Sequence, residues 1–159
     1  MTKRVRLVEL VDVPPCDAGA PEPAVLASEE NVTLAYYVAD AIRRNSIICA
    51  QITFERVKLH SFGEPNDEAL AGHRLYSAGL KPYSAYQVLG SPLIADLRER
   101  NRVHPRHDDK AYLGCRHYIF TFHGSTFEAV ADGYAVSTAS GAPFGVVTGK
   151  LAARAQEPG

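Results

Sequence analysis

The stretch HYIFTFHGSTFEAVAD, residues 117–132, decides the fold class, because its apolar and polar side chains alternate with a period of two. Successive side chains of a β-strand point to opposite faces of a sheet, so the alternation predicts two strands joined by a turn at Gly124-Ser125. In that register Phe122 lies opposite Phe127. The aromatic face is predicted to be core, and only an even-numbered loop keeps all the aromatic side chains on it.

The opposite face of the predicted hairpin carries titratable side chains together with two apolar ones. Its residues are His117, Ile119, Thr121, His123, Glu128, Val130 and Asp132. A histidine beside a carboxylate has a fixed tautomer and a more basic imidazole, and two carboxylates on one wall can divide into acid and base. A solvated face with cross-strand charge pairs explains the same polar residues, but it has little need of Ile119 and Val130. The sequence leaves both interpretations open.

The rest of the chain adds several strands and one helix. Strands are predicted in residues 3–13, 47–60, 85–89, 112–123 and 126–137, with a Pro- and Ala-rich irregular connection at 14–27. Residues 31–39 fit either a strand or a helix, and their Val, Thr and Tyr content favours the strand. The apolar parity of residues 47–60 changes after Phe54, which a β-bulge near Glu55-Arg56 would explain. Ser91-Pro92 is typical of a helix start, with a hydroxyl N-cap before proline, and Pro105 ends that helix.

This order of elements predicts an α+β fold. The expected architecture is a mostly antiparallel, curved sheet packed on one main helix, with a half-closed barrel as the alternative. Residues 1–149 are predicted to form a single domain, and residues 150–159 a flexible tail. Strands and helices do not alternate regularly, which argues against a Rossmann-type fold.

Composition excludes several classes of function. The 159 residues carry a formal net charge of −1, so no global field favours nucleic acid or an anionic membrane. No apolar stretch is long enough to cross a bilayer, and Glu9 and Asp12 interrupt the apolar run that a secretion signal would need. The three cysteines are far apart and fit neither a disulfide framework nor a CxxC zinc site. A cytoplasmic location is expected, and a homo-oligomer is left open.

The favoured hypothesis is a small-molecule enzyme that uses metal-independent acid–base chemistry: hydrolysis, elimination or isomerisation, with no cofactor. Proton transfers are assigned to His117, His123, Glu128 and Asp132, with Glu55 assisting. Substrate contacts are assigned to Glu68, His73, Tyr86, Arg102 and Arg106. The two arginines belong to a locally basic segment that would attract an anionic substrate, although a helix with its charges facing water is the favoured explanation of that segment.

Two alternatives remain. The first is a ligand-binding or protein-interaction module without chemistry. The second is a metal enzyme using His104, His107 and Asp108, although a solvated charged loop is the favoured explanation of those residues. An enzyme requires the polar face to lie in a concave pocket with a desolvated carboxylate, whereas an interaction module requires that face to be open or covered by a second subunit.

Overall fold

The computed structural model describes residues 3–39 and 47–155, which form an α+β fold of two antiparallel sheets. The strands are β1 Arg6–Glu9, β2 Ala24–Ala27, β3 Val32–Tyr37, β4 Ile48–Glu55, β5 Leu59–Gly63, β6 Ala85–Leu89, β7 Arg116–Thr121, β8 Thr126–Ala131 and β9 Gly133–Ser140. The strand order is β1-β6-β7-β8-β5 in one sheet and β2-β3-β4-β9 in the other. The predicted class and the antiparallel pairing are confirmed, and the sheets do not close into a barrel.

The main core lies between the two sheets. Inward-facing side chains of β3 and β4 pack against those of β7 and β8, and aromatic residues dominate the contact: Tyr36, Phe54, Tyr118, Phe120, Phe122 and Phe127 are all buried. The aromatic face of residues 117–132 is therefore core, as its alternation predicts. Its partner is a second sheet rather than a helix.

The chain passes from one sheet to the other at two neighbouring points. β4 ends at Glu55, Arg56 has a φ of 50°, and β5 then pairs in the other sheet. The predicted bulge near Glu55-Arg56 is wrong, because the change of parity marks this crossing. Residues 126–137 are likewise not one strand, since β8 and β9 belong to different sheets. Arg56 Nε lies 2.6 Å from Asp132 Oδ2 and links the two crossings.

The predicted register of the β7–β8 hairpin is also wrong, by two residues. Phe120, rather than Phe122, lies opposite Phe127, and the last ladder pair is Thr121 with Thr126. Phe122 lies beyond that pair, where it packs on the Tyr36 ring at 5.3 Å between centroids. A loop residue thus supplies part of the core. Because the shift is even, every side chain keeps its predicted face.

Helical segments cover the outer faces of both sheets. The β1-β6-β7-β8-β5 sheet is covered by helix α1, Pro92–Arg100, and by two short 3-10 turns, Asp67–Gly72 and Tyr76–Ala78. An apolar cluster forms beneath these segments, where Leu70, Leu75 and Leu80 pack on Tyr86, Val88 and Ile119 of the sheet. Helix α2, Pro143–Ala155, was not predicted, and it packs on β2 and β3 of the other sheet. The alternation of apolar and polar residues in the sequence indicates neither β2, which lies in the predicted irregular connection, nor α2, which extends through residues 150–155 of the predicted tail. Within the described residues, neither helix combines the length and the apolar character that crossing a bilayer requires.

Candidate active site

A buried histidine and a carboxylate meet on the outer face of the β7–β8 hairpin. His117 is fully buried, and its Nε2 donates a hydrogen bond to Glu128 Oε1 at 2.9 Å. Glu128 lies opposite Ile119, one step along the same face from His117. Only 12% of the Glu128 side chain is exposed, because the helical segments cover this face. Burial of this face also explains why apolar Ile119 lies among its titratable residues, since Ile119 belongs to the apolar cluster beneath the helical segments.

Ser91 is the third member of the group. Its Oγ lies 2.8 Å from His117 Nδ1 and accepts a hydrogen bond from the Ile94 amide at 3.1 Å as the N-cap of α1. Gly90 has a φ of 66°, and a Cβ there would lie 2.8 Å from the Arg4 carbonyl oxygen. Only glycine permits this close turn, which carries the chain from β6 into α1 and sets Ser91 beside His117.

A second histidine holds the other side of Glu128. His73 Nδ1 accepts a hydrogen bond from the Leu75 amide at 3.0 Å, so the ring hydrogen of neutral His73 lies on Nε2. His73 Nε2 is 3.3 Å from Glu128 Oε2, to which it donates. Arg74 Nη2 lies 3.6 Å from Glu128 Oε1 and adds a positive charge.

These contacts keep Glu128 ionised. Burial by itself raises the pKa of the Glu128 carboxyl, but the hydrogen bonds from His117 and His73 and their attraction outweigh it and hold the pKa well below its ordinary value. An ionised carboxylate only accepts hydrogen bonds, so His117 Nε2 must carry a hydrogen. In neutral His117 the Nδ1 lone pair then faces the Ser91 hydroxyl. The result is a continuous hydroxyl–imidazole–carboxylate chain.

The hydrogen-bonded chain of Ser91, His117 and Glu128 runs between two depressions of the protein surface. Ser91 lines a cavity of about 740 Å³ beside α1. His73, Arg74 and Glu128 line an open cleft of about 530 Å³. Both volumes are in the range of small-molecule sites. His117 lies buried between them, hydrogen-bonded to Ser91 on one side and to Glu128 on the other.

Three residues assigned to proton transfer lie outside this group. His123 is on the hairpin turn, 59% exposed, with its Nδ1 2.9 Å from Asp67 Oδ2. Asp132 follows the end of β8 and pairs with Arg56 at the sheet crossing. Glu55 is exposed at the end of β4, in the other sheet, so it does not extend the polar face of β7 and β8.

Of the residues assigned to substrate contacts, only His73 joins the group. Glu68 is exposed on the 3-10 turn, and Tyr86 is buried in the apolar cluster beneath the helical segments. Arg102 lies 3.0 Å from Glu99 and 3.8 Å from Asp109, and Arg106 is exposed on the loop after α1. Ser91 and Arg74 did not stand out as site residues in the sequence.

The three metal candidates make ordinary loop contacts. His107 accepts a hydrogen bond from Asn101 Nδ2 at 3.0 Å and approaches Asp109 Oδ1 at 2.6 Å. His104 Nδ1 accepts from the Arg106 amide at 3.0 Å, and Asp108 accepts from the Lys110 amide at 2.9 Å. In residues 3–39 and 47–155, no three or more His, Cys, Asp or Glu side chains are grouped as a metal site would need.

Comparisons with protein-family models, curated proteins and solved structures each find no match. No buried side-chain nitrogen or oxygen of the described residues lacks a hydrogen-bond partner. The chain from Ser91 to His73 is fully satisfied, which holds its geometry before any ligand binds.

The lowered pKa of Glu128 predicts an acid-sensitive contribution to stability. A carboxyl with a depressed folded-state pKa stabilises the fold above its unfolded value of about 4.3 and loses that contribution as pH falls towards the folded value. We expect the free energy of unfolding to fall below about pH 4, and to fall less steeply in Glu128→Gln. Urea unfolding at several pH values measures both slopes, and identical slopes would contradict the ionised, hydrogen-bonded state of Glu128.

Proposed function

We propose that the protein is a small-molecule hydrolase that works by metal-independent acid–base chemistry. Ser91 is the nucleophile, His117 the general base and Glu128 the carboxylate that orients His117. The observation that carries the proposal is the placement of fully buried His117 between the Ser91 hydroxyl and the ionised Glu128 carboxylate. Hydrolysis is favoured over elimination or isomerisation because the free lone pair of the base faces a hydroxyl group.

Ser91 and His117 carry the bond-making and proton-transfer steps of the proposed reaction. As Ser91 Oγ forms a bond to the carbonyl carbon of the substrate, its proton moves to His117 Nδ1. The bond from that carbon to the leaving oxygen or sulfur breaks, and the proton on Nδ1 passes to the leaving atom. Water then attacks the acyl carbon and gives one proton to His117, and the bond from that carbon to Ser91 Oγ breaks and releases the acid. His117 finally returns this proton to Ser91.

Glu128 stabilises the imidazolium that forms during both steps. Its low pKa makes it a poor proton acceptor at neutral pH, so it acts as a fixed negative charge rather than as the base. His73 and Arg74 support that charge from the cleft side. Ser91 also lies at the N-terminus of α1, where the positive end of the helix dipole favours negative charge developing on the substrate oxygen.

Hydrolysis of 4-nitrophenyl acetate by matched Ser91 variants tests the proposal. Asparagine is as good an N-cap as serine, so Ser91→Asn keeps the helix cap while removing the nucleophile. We expect kcat/KM to fall by at least about 10³-fold in Ser91→Asn, because the covalent route is lost. Ser137→Ala, at an exposed serine of β9, should retain the wild-type rate. Equal rates for wild type and Ser91→Asn would overturn the proposal and leave the binding module as the better hypothesis.

A further inference from the structure

The cavity beside Ser91 has a positive lining that the hydrolytic chemistry alone does not require. Lys3, Arg98 and Arg116 line it, and no Asp or Glu of the described residues does. The whole chain carries a net charge of −1, so this local excess is not a reflection of composition. Cavities lined by charge of one sign with apolar walls attract ligands of the opposite charge.

These cations are available for a ligand. Within residues 3–39 and 47–155, no carboxylate lies within 4.0 Å of the charged atoms of Lys3, Arg98 or Arg116. Other arginines of α1 and of the turn that follows it are paired, Arg100 with Asp96 and Arg102 with Glu99. Burial raises the pKa of the Tyr118 hydroxyl and the nearby Arg116 partly offsets that rise, so Lys3 and Arg98 are the two cations assigned to the ligand.

A second groove of about 840 Å³ lies along β1 and shares part of its lining with the cavity. Lys3, Val5, Leu89 and Gly90 line both, and the second groove adds Arg4 and Arg6. The lining also includes apolar side chains, among them Val5, which lines both, and Ile94 of α1. A ligand that fits both parts has an apolar portion near Ser91 and an anionic group that reaches the cations.

We infer that the substrate is an ester or thioester that carries a carboxylate or phosphate group, bound with its acyl carbon at Ser91 and its anion on Lys3 and Arg98. This inference rests on the proposed function for the bond that is cleaved. The anion site itself stands on the cavity lining. Basic side chains recognise both carboxylate and phosphate, and the arginine guanidinium does so with paired donors.

Two esters of similar size separate the effect of charge from that of intrinsic reactivity: mono-4-nitrophenyl terephthalate, whose rigid para-carboxylate cannot reach its own ester carbonyl, and neutral 4-nitrophenyl benzoate. We expect wild-type kcat/KM to be about tenfold or more higher for the anionic ester, the effect of one good charge-assisted hydrogen bond. Lys3→Gln and Arg98→Gln should reduce this preference towards one. Arg100→Gln, on the same helix but outside the cavity, should leave it unchanged. Equal Ser91-dependent rates for the two esters would overturn the inference and leave the hydrolase proposal standing.

Direct binding tests the anion site without turnover. Glutarate and phenyl phosphate, titrated into the wild-type protein and followed by calorimetry, represent the carboxylate and phosphate sources. We expect one of them to bind, and Arg98→Gln to weaken that binding by about tenfold or more. Binding that depends on Arg98 without any ester hydrolysis would support the anion site and contradict the hydrolase. If neither compound binds and the anionic ester is not preferred, the inference is wrong.

Discussion

Phe54→Ala is expected to lower the free energy of unfolding by about 3–5 kcal/mol, the usual cost of removing a fully buried phenyl ring from a core. Phe54 lies on β4, and its ring centroid is 5.7 Å from Tyr118 and 5.4 Å from Phe127 on the opposite sheet. Its side chain is completely buried, so truncation leaves a cavity at the centre of the contact between the sheets. Chemical denaturation followed by circular dichroism measures the loss.

Phe144→Ala is the matched control for this substitution. Phe144 is 73% exposed near the start of α2, and its truncation should change the free energy of unfolding by less than about 0.5 kcal/mol. A comparable loss in the two variants would show that the two sheets do not form the main core. An unchanged denaturation midpoint in Phe54→Ala would directly contradict a core formed between the two sheets.

Glu128→Gln is expected to reduce kcat for 4-nitrophenyl acetate by about 10²–10⁴-fold, with a smaller effect on KM. Glutamine has nearly the same shape, but it has no charge to stabilise the imidazolium of His117. Its amide can also present a donor to His117 Nε2 and reverse the tautomer, so that Nδ1 no longer accepts the Ser91 proton. Steady-state kinetics of purified wild type and variant measure the effect.

Two controls separate this electrostatic role from a loss of folding. Glu29→Gln, at an exposed carboxylate remote in sequence from the site, should retain wild-type kcat. The thermal midpoint of Glu128→Gln shows the temperatures at which the variant is folded, and the kcat values of wild type and variant are compared at one of these temperatures. A folded Glu128→Gln protein with kcat within about threefold of wild type would remove Glu128 from the mechanism.

The faces of the β7–β8 hairpin follow from its sequence, but its neighbours do not. Alternation assigned Phe120 and Phe127 to the core and His117 and Glu128 to the other side, and a register error of two residues left this unchanged. The local pattern does not establish that β4 and β8 each end where the chain crosses to the other sheet. A change of parity after Phe54 fits a bulge and a crossing equally well.

The site was only partly predictable for a related reason. His117 and Glu128 are close in sequence, and parity alone places them on one face. Ser91 and His117 are 26 residues apart, and His73 and Glu128 are 55 apart, so those contacts depend on how α1 and the 3-10 turns pack on the sheet. The N-cap role of Ser91 explained this serine locally, and nothing nearby in the sequence indicated a second hydrogen bond to a buried histidine.

Covalent labelling of Ser91 tests the central claim most directly. A fluorophosphonate reacts with a serine hydroxyl whose proton an adjacent imidazole accepts, and peptide mass spectrometry locates the adduct. We predict a single adduct on Ser91 of the wild-type protein, no adduct in Ser91→Asn, and much slower labelling in His117→Gln. Wild-type protein without an adduct, or with the adduct on a serine outside the Ser91–His117–Glu128 chain, would contradict the account.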